Sequence, residues 1–202
     1  MYLRAASIHI DDSVLIQQSQ AGDTTAMERL ILKYQNRIHN VILKMCGNPD
    51  DAAELTQETF VKVIESIDKF KGRSSFYTWL FRIGVNLTLN HCQRSARTAP
   101  RSLDAEEPAP DGQTRQLLKE FLTDDRAVDP AVLAQSRELC ALALQSLLQL
   151  EEPQRTVVVL RDIEGMTYAE IADVLNIEIG TVRSRLSRAR SHLREVLEAM
   201  LT

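Results

Sequence analysis

Little in this sequence invites a covalent scaffold, a metal centre or a membrane. Its 202 residues include only three cysteines, Cys46, Cys92 and Cys140, widely spaced and odd in number. A disulfide framework needs pairs, so the count points to reduced thiols, each a small buried residue. Neither C-x-x-C nor H-E-x-x-H occurs, and the four histidines (His9, His39, His91, His192) are scattered. Metal-ligand spacing is missing, and no metal or other cofactor is expected. Apolar runs stop after a few residues, for example Val157-Val158-Val159-Leu160, far short of the roughly 20 that a spanning helix requires. The opening MYLRAASIHIDDSV has no long apolar core ahead of its first acids, which argues against a secretory signal. There is no phosphate-binding glycine loop, and no His or Cys beside a helper at a known spacing, so no enzyme is expected. Strand-type alternation is missing over any useful length.

Aromatics are also scarce, at ten residues, yet four of them fall in Phe76–Phe81 within GRSSFYTWLFRIGVN, among them the sole tryptophan, Trp79. Charge is just as unevenly spread. The net value of −4 divides into an acid-free block from Lys69 to Arg101 with seven bases, and a stretch from Ser102 to Glu138 with nine acids against four bases. A second acid-free block from Arg183 to Arg194 holds five arginines. Two polyanion-facing surfaces in an otherwise acidic chain follow from that asymmetry.

The helical period runs through most of the sequence. Apolar residues at 27, 30, 31, 34, 38, 41, 42 and 45 mark a long helix, and Gly22-Asp23 separates it from a short leading one. GNPDD is a turn with an acidic helix start, and residues 51–67 form the next amphipathic helix, with Ala52, Leu55, Phe60, Val63, Ile64 and Ile67 mostly on one side. Gly72 breaks the pattern. A helix from about Phe76 to Arg94 then carries a core stripe of Phe76, Leu80, Ile83 and Leu87, and a second stripe of Trp79, Arg82, Asn86, Asn90 and Gln93. Residues 96–130 hold four of the six prolines and read as an acidic linker. Helices resume over 131–150 and from near Pro153 to Gly165. A T-x-x-E capping box at Thr167 and Glu170, a turn at Asn176-Ile177 and a last helix over 179–199 follow. The expected fold is all-α: two small helical domains, 11–95 and 131–202, joined by a flexible acidic linker over 96–130.

Two constellations carry chemistry. The capped helix, short turn and Arg/Ser-rich helix form a helix-turn-helix pattern held together by Ala172, Leu175, Ile177, Val182 and Leu186. Its second helix offers Thr181, Arg183, Ser184, Ser187 and Arg188 to a major groove, where arginine pairs bidentately with guanine. A merely solvated helix usually mixes signs, and 183–194 does not. Five arginines cannot share one face, so two or three read bases and the others meet phosphates or a neighbouring helix. The second constellation is the basic loop Lys69 to Ser75 leading into the aromatic helix start. Opening a duplex requires replacement stacking, which aromatic side chains provide at about 1–3 kcal/mol per base. Phe76 heads the apolar stripe and reads as core; Tyr77 and Trp79 stand evenly between core packing and stacking.

DDAAELTQETFVKVI, FKGRSSFYTWLFRIGVNLTLNHCQR and LEEPQRTVVVLRDIEGMTYAEIADVLNIEIGTVRSRLSRARSHLRE occur in that order, and together they resemble a bacterial extracytoplasmic-function sigma factor. Such proteins are the smallest promoter-specificity subunits of RNA polymerase. The resemblance implies a cytoplasmic, non-enzymatic initiation factor of the bacterial sigma-70 family. It implies that Asp51, Glu54, Leu55, Gln57, Glu58 and Lys62 contact the clamp helices of core RNA polymerase's largest subunit. It implies that Lys69, Lys71, Arg73, Ser74, Ser75, Tyr77, Trp79, Arg82, Asn86 and Asn90 bind and melt the −10 element. Glu178, Thr181, Arg183, Ser184, Ser187, Arg188 and Arg190 fall on the −35 reader. Its implied partners are core polymerase, promoter DNA and, in some members, an anti-sigma factor. On the residues alone, a stand-alone helix-turn-helix regulator and an adaptor for acidic proteins remain as alternatives.

Overall fold

Helix ends are written into the sequence as caps, and these set the architecture of a computed structural model that describes residues 11–98 and 143–201. Helix α1 spans Asp12–Gln20, with the Asp11 carboxylate accepting from the Ser13 amide. Asp23 caps α2, Thr24–Cys46, which stops at Gly47 in a left-handed conformation (φ 75°). Asn48 caps α3, Pro49–Ser66, whose first turn holds Pro49, Asp50 and Asp51, each suited to a helix N-terminus. A 3₁₀ turn over Ile67–Lys69 leads to the basic loop, and α4 then runs Phe76–Thr98. Its first turn is tied by the Ser75 hydroxyl, which accepts from the Thr78 amide at 3.0 Å.

The second group comprises α5 over 143–149, α6 over Glu152–Val158, a π-helical turn over Val159–Ile163, α7 over Tyr168–Leu175 and α8 over Ile179–Leu201. The expected capping box is present: the Thr167 hydroxyl accepts from the Glu170 amide, and the Glu170 carboxylate accepts from the Thr167 amide at 2.8 Å. Those contacts, the Thr167 amide foremost, hold the Glu170 carboxyl below its ordinary range. A carboxyl depressed by folding stabilises above its unfolded pKa, and the effect is lost as pH falls through the folded value. Thr167→Ala is expected to remove about 1 kcal/mol of stability. In thermal melts at stepped pH, Glu170→Gln should flatten the acid limb of the wild-type curve.

No strand occurs among the described residues. The expected linker lies almost wholly outside them, as does the start of the 131–150 helix. Helix α4 runs past the expected end at Arg94 to Thr98. Its buried stripe also differs from the expectation: Phe76, Leu80, Phe81 and Val85 are buried, whereas Ile83 and Leu87 are only partly so. The reason is packing on several sides, because α4 lies against α2 and α3 and also against α7. Ile64, expected in the α3 core, is half exposed. Cys46 and Cys92 are partly buried and unpaired, and burial pushes the Cys46 thiol up to about 11, which keeps it protonated at neutral pH.

The two helical groups touch. Arg155 on α6 donates to the Met45 carbonyl at the end of α2 at 2.8 Å. A Cβ on Gly47 would meet the Leu148 side chain at 2.9 Å, so this glycine serves both its left-handed cap and a close approach between the groups.

Candidate nucleic-acid interface

Gly72 (φ 67°) turns the basic loop back on the head of α4, and the result is a cleft of about 290 Å³. Lys69, Lys71, Arg73, Ser74, Trp79 and Arg82, all expected at the −10 surface, line it together with Phe70. Phe70 is the residue that sequence reasoning missed; an apolar side chain inside a run of bases was its signal. Its ring lies 5.2 Å from that of Trp79 and 5.8 Å from that of Phe76, and Trp79 lies 5.7 Å from Phe76. The indole is thus backed by two phenyl rings while remaining partly exposed. A flat ring held from behind under a cationic rim has the geometry that base stacking requires.

The other expected −10 residues sit elsewhere. Tyr77 turns away from the cleft, with its ring 4.2 Å from Phe81 and its hydroxyl donating to Glu164 at 2.9 Å. Burial first, and the Glu164 charge second, raise its phenol well above the usual range. Ser75 acts as the α4 cap. Asn86 and Asn90 are exposed further along the helix, on the side that carries Trp79 and Arg82.

In the helix-turn-helix, Asn176 takes the left-handed conformation (φ 51°) that ends α7, and Glu178 accepts the first amide bonds of α8. Val182, Leu186 and Ala189 form the buried stripe of α8, packed with Ile171 and Val174 of α7. Ser184, Ser187 and Arg188 are exposed on the opposite side, with Thr181 and Glu178 nearby. The arginines divide the work. Arg183 leans over the Tyr168 ring at 5.9 Å, and Arg190 pairs with Asp162 at 2.5 Å, a bond that holds its charge more firmly. Arg188 has neither an ion pair nor a ring contact among the described residues.

On α3, Glu54, Gln57, Glu58 and Lys62 are exposed, and Glu58 and Lys62 approach to 3.6 Å one turn apart. Asp51 pairs with His91 at 3.2 Å. Leu55 is 4% exposed and supports this face from within the core. Val61, half exposed on the same helix, was not singled out from the sequence.

Residues 30–98 match the family model described as Sigma-70 region 2, and residues 141–193 match the one described as Sigma-70, region 4. The chain is 35% identical over 190 residues to the RNA polymerase sigma-H factor of Pseudomonas aeruginosa, covering 94% of this chain and 95% of that one. It is 33% identical over 196 residues to the ECF RNA polymerase sigma-E factor of Escherichia coli K12, covering 96% and 98%. The solved structure of CnrH in complex with the cytosolic domain of CnrY superposes with a TM-score of 0.63 at 25% identity, over 93% of this chain and 97% of that one. The sigma factor RpoE from Bartonella quintana, solved with the anti-sigma factor NepR, shares the fold (TM-score 0.62, 22% identity, 85% and 96% covered).

Proposed function

The chain belongs to the sigma-70 family, in its extracytoplasmic-function group, and from that premise we propose how its surfaces share the work of initiation. It is a sigma factor that binds core RNA polymerase, directs it to a two-part promoter and promotes melting of the downstream part. Members of this family regulate rather than catalyse, and here too the polymerase carries the chemistry. We read the chain as a non-enzymatic, cytoplasmic protein, in keeping with a polymerase partner. No helix among the described residues is long and apolar enough to cross a membrane.

The observation that carries the finer reading is the cleft at the head of α4, where six expected residues gather over an aromatic floor. Domain 11–95 captures the −10 element there: Trp79 and Phe70 stack, and Lys69, Lys71, Arg73 and Arg82 hold the backbone. Ser74 lines the pocket, Ser75 fixes the helix start, and Asn86 and Asn90 extend the surface along the strand. Domain 131–202 reads the −35 element through Thr181, Ser184, Ser187 and Arg188. Arg183 and Arg190, braced by Tyr168 and Asp162, address phosphates, and Glu178 opens the reading helix. The α3 face of Asp51, Glu54, Gln57, Glu58 and Lys62, with Leu55 behind it, docks on the clamp helices, and Val61 adds apolar area. An anti-sigma factor is a third partner, one that competes for these faces.

The test is transcription from a randomised promoter library with purified chain and bacterial core polymerase, sequencing RNA 5′ ends. New starts that share two spaced elements and vanish without the chain are expected. No new starts, with the chain still shifting duplex DNA by itself, would replace this reading with a stand-alone regulator.

A further inference from the structure

A carboxylate sits deep in the contact between the two helical groups. Glu164 follows the π-helical turn and its side chain is 6% exposed. Arg37 of α2 donates to it through Nε at 2.6 Å and to its backbone carbonyl through Nη2 at 3.3 Å. The Tyr77 hydroxyl of α4 donates to the same carboxylate oxygen. Lys44, itself buried, feels the Glu164 charge, which partly offsets the burial that lowers its pKa. The Arg37 guanidinium also lies 4.5 Å over the Tyr77 ring, so the two donors orient each other. A guanidinium and a phenol from one domain thus converge on an anion supplied by the other, with the buried Lys44 adding positive charge nearby.

Two more acids follow along α4. Asp173 of α7 pairs with Arg82, which also lines the cleft, and Glu170 reaches the Thr78 hydroxyl. Arg82 is held there at a cost, because its Nε is buried without an acceptor among the described residues. The C-terminal group therefore lays carboxylates against the first turns of α4, where Arg82 stands next to the basic loop. Charge-assisted bonds from Arg, Lys and Tyr fit a carboxylate and a phosphate alike.

We propose that Glu164 is an internal mimic of a DNA phosphate. With the domains together it fills an anion site built by Arg37 and Tyr77; when they separate on polymerase, the same site takes a backbone phosphate of the melted strand. In the free chain this anion site is therefore closed to single-stranded DNA, and Arg37 belongs to the promoter-binding surface although it lies outside the basic block that revealed the rest. This inference rests on the sigma-factor reading above.

The experiment uses the full chain without polymerase, with a short fluorescein-labelled oligo-dT strand as a probe that offers phosphates without sequence. Anisotropy reads affinity, and small-angle scattering reads the radius of gyration. Glu164→Gln is expected to expand the chain and tighten binding about five- to tenfold. Asp173→Asn, which frees Arg82, should move both in the same direction. Arg37→Gln should expand the chain without tightening binding, because it removes the latch and the phosphate site together. Unchanged dimensions and affinity in both Glu164→Gln and Asp173→Asn would overturn the latch. Arg37→Gln binding as tightly as Glu164→Gln would overturn the phosphate site. Transcription with saturating core polymerase separates the two levels: starts from wild type and Glu164→Gln alike uphold the sigma-factor reading whatever the oligo-dT result. Starts from neither would sink that reading and take this inference with it.

Discussion

Trp79→Ala should leave polymerase binding intact and cut promoter opening by about five- to 150-fold, the factor that loss of about 1–3 kcal/mol of base stacking allows. The indole is the largest ring of the cleft, backed by phenyl rings and still partly exposed. Phe70 and Phe76 hold it at 5.2 and 5.7 Å, and cationic side chains that would keep a strand close line the same cleft. Stacking acts only once a base has left the duplex, so the effect belongs to opening. A promoter whose downstream part is already unpaired should restore most of the transcription. Failure of that rescue would remove the stacking role. Because the indole also packs on the core, Trp79→Phe is the control: it keeps a ring in place and should lose much less.

The second large effect is expected at Arg188. Arg188→Ala should lose about 1–3 kcal/mol of binding and relax preference at one position of the upstream element, as for a bidentate base contact. Its neighbours make the contrast measurable. Arg190 is committed to Asp162 and Arg183 rests on Tyr168, so their alanine variants should weaken binding evenly across sequences and flatten its salt dependence. Selection from an upstream-element library, run with each variant at several salt concentrations, separates the classes. A uniform loss for Arg188→Ala would place it with the phosphate contacts.

The helix-turn-helix was legible because its signals are local. A capping box fixes the start of α7, and Asn176 ends it at the one non-glycine residue with positive φ among those described. The basic loop and Trp79 were legible through composition. What the sequence hides is whatever depends on a partner distant along the chain. Arg37 and Glu164 are 127 positions apart, and neither stands out in its own segment. Tyr77 looked like a neighbour of Trp79, but two residues along a helix amount to more than half a turn, and its ring faces Arg37 instead. Leu55 illustrates the reverse. One residue satisfied both the core pattern and the family's docking face, and only its burial separates the two roles.

The π-helical turn at Val159–Ile163 has a consequence for how this domain tolerates insertions and deletions. A π turn holds one residue more than an α turn, so everything after it is rotated by about 100° relative to a regular helix. That rotation lets neighbouring acids serve different elements, Asp162 meeting Arg190 within its own domain and Glu164 meeting Arg37 in the other. Deleting a single residue from Val159–Ile163 would regularise the helix and break one of those pairings at once, whereas most substitutions there would break neither. Domain exchanges between related chains should accordingly be joined before Glu152 or after Gly165, never inside the turn.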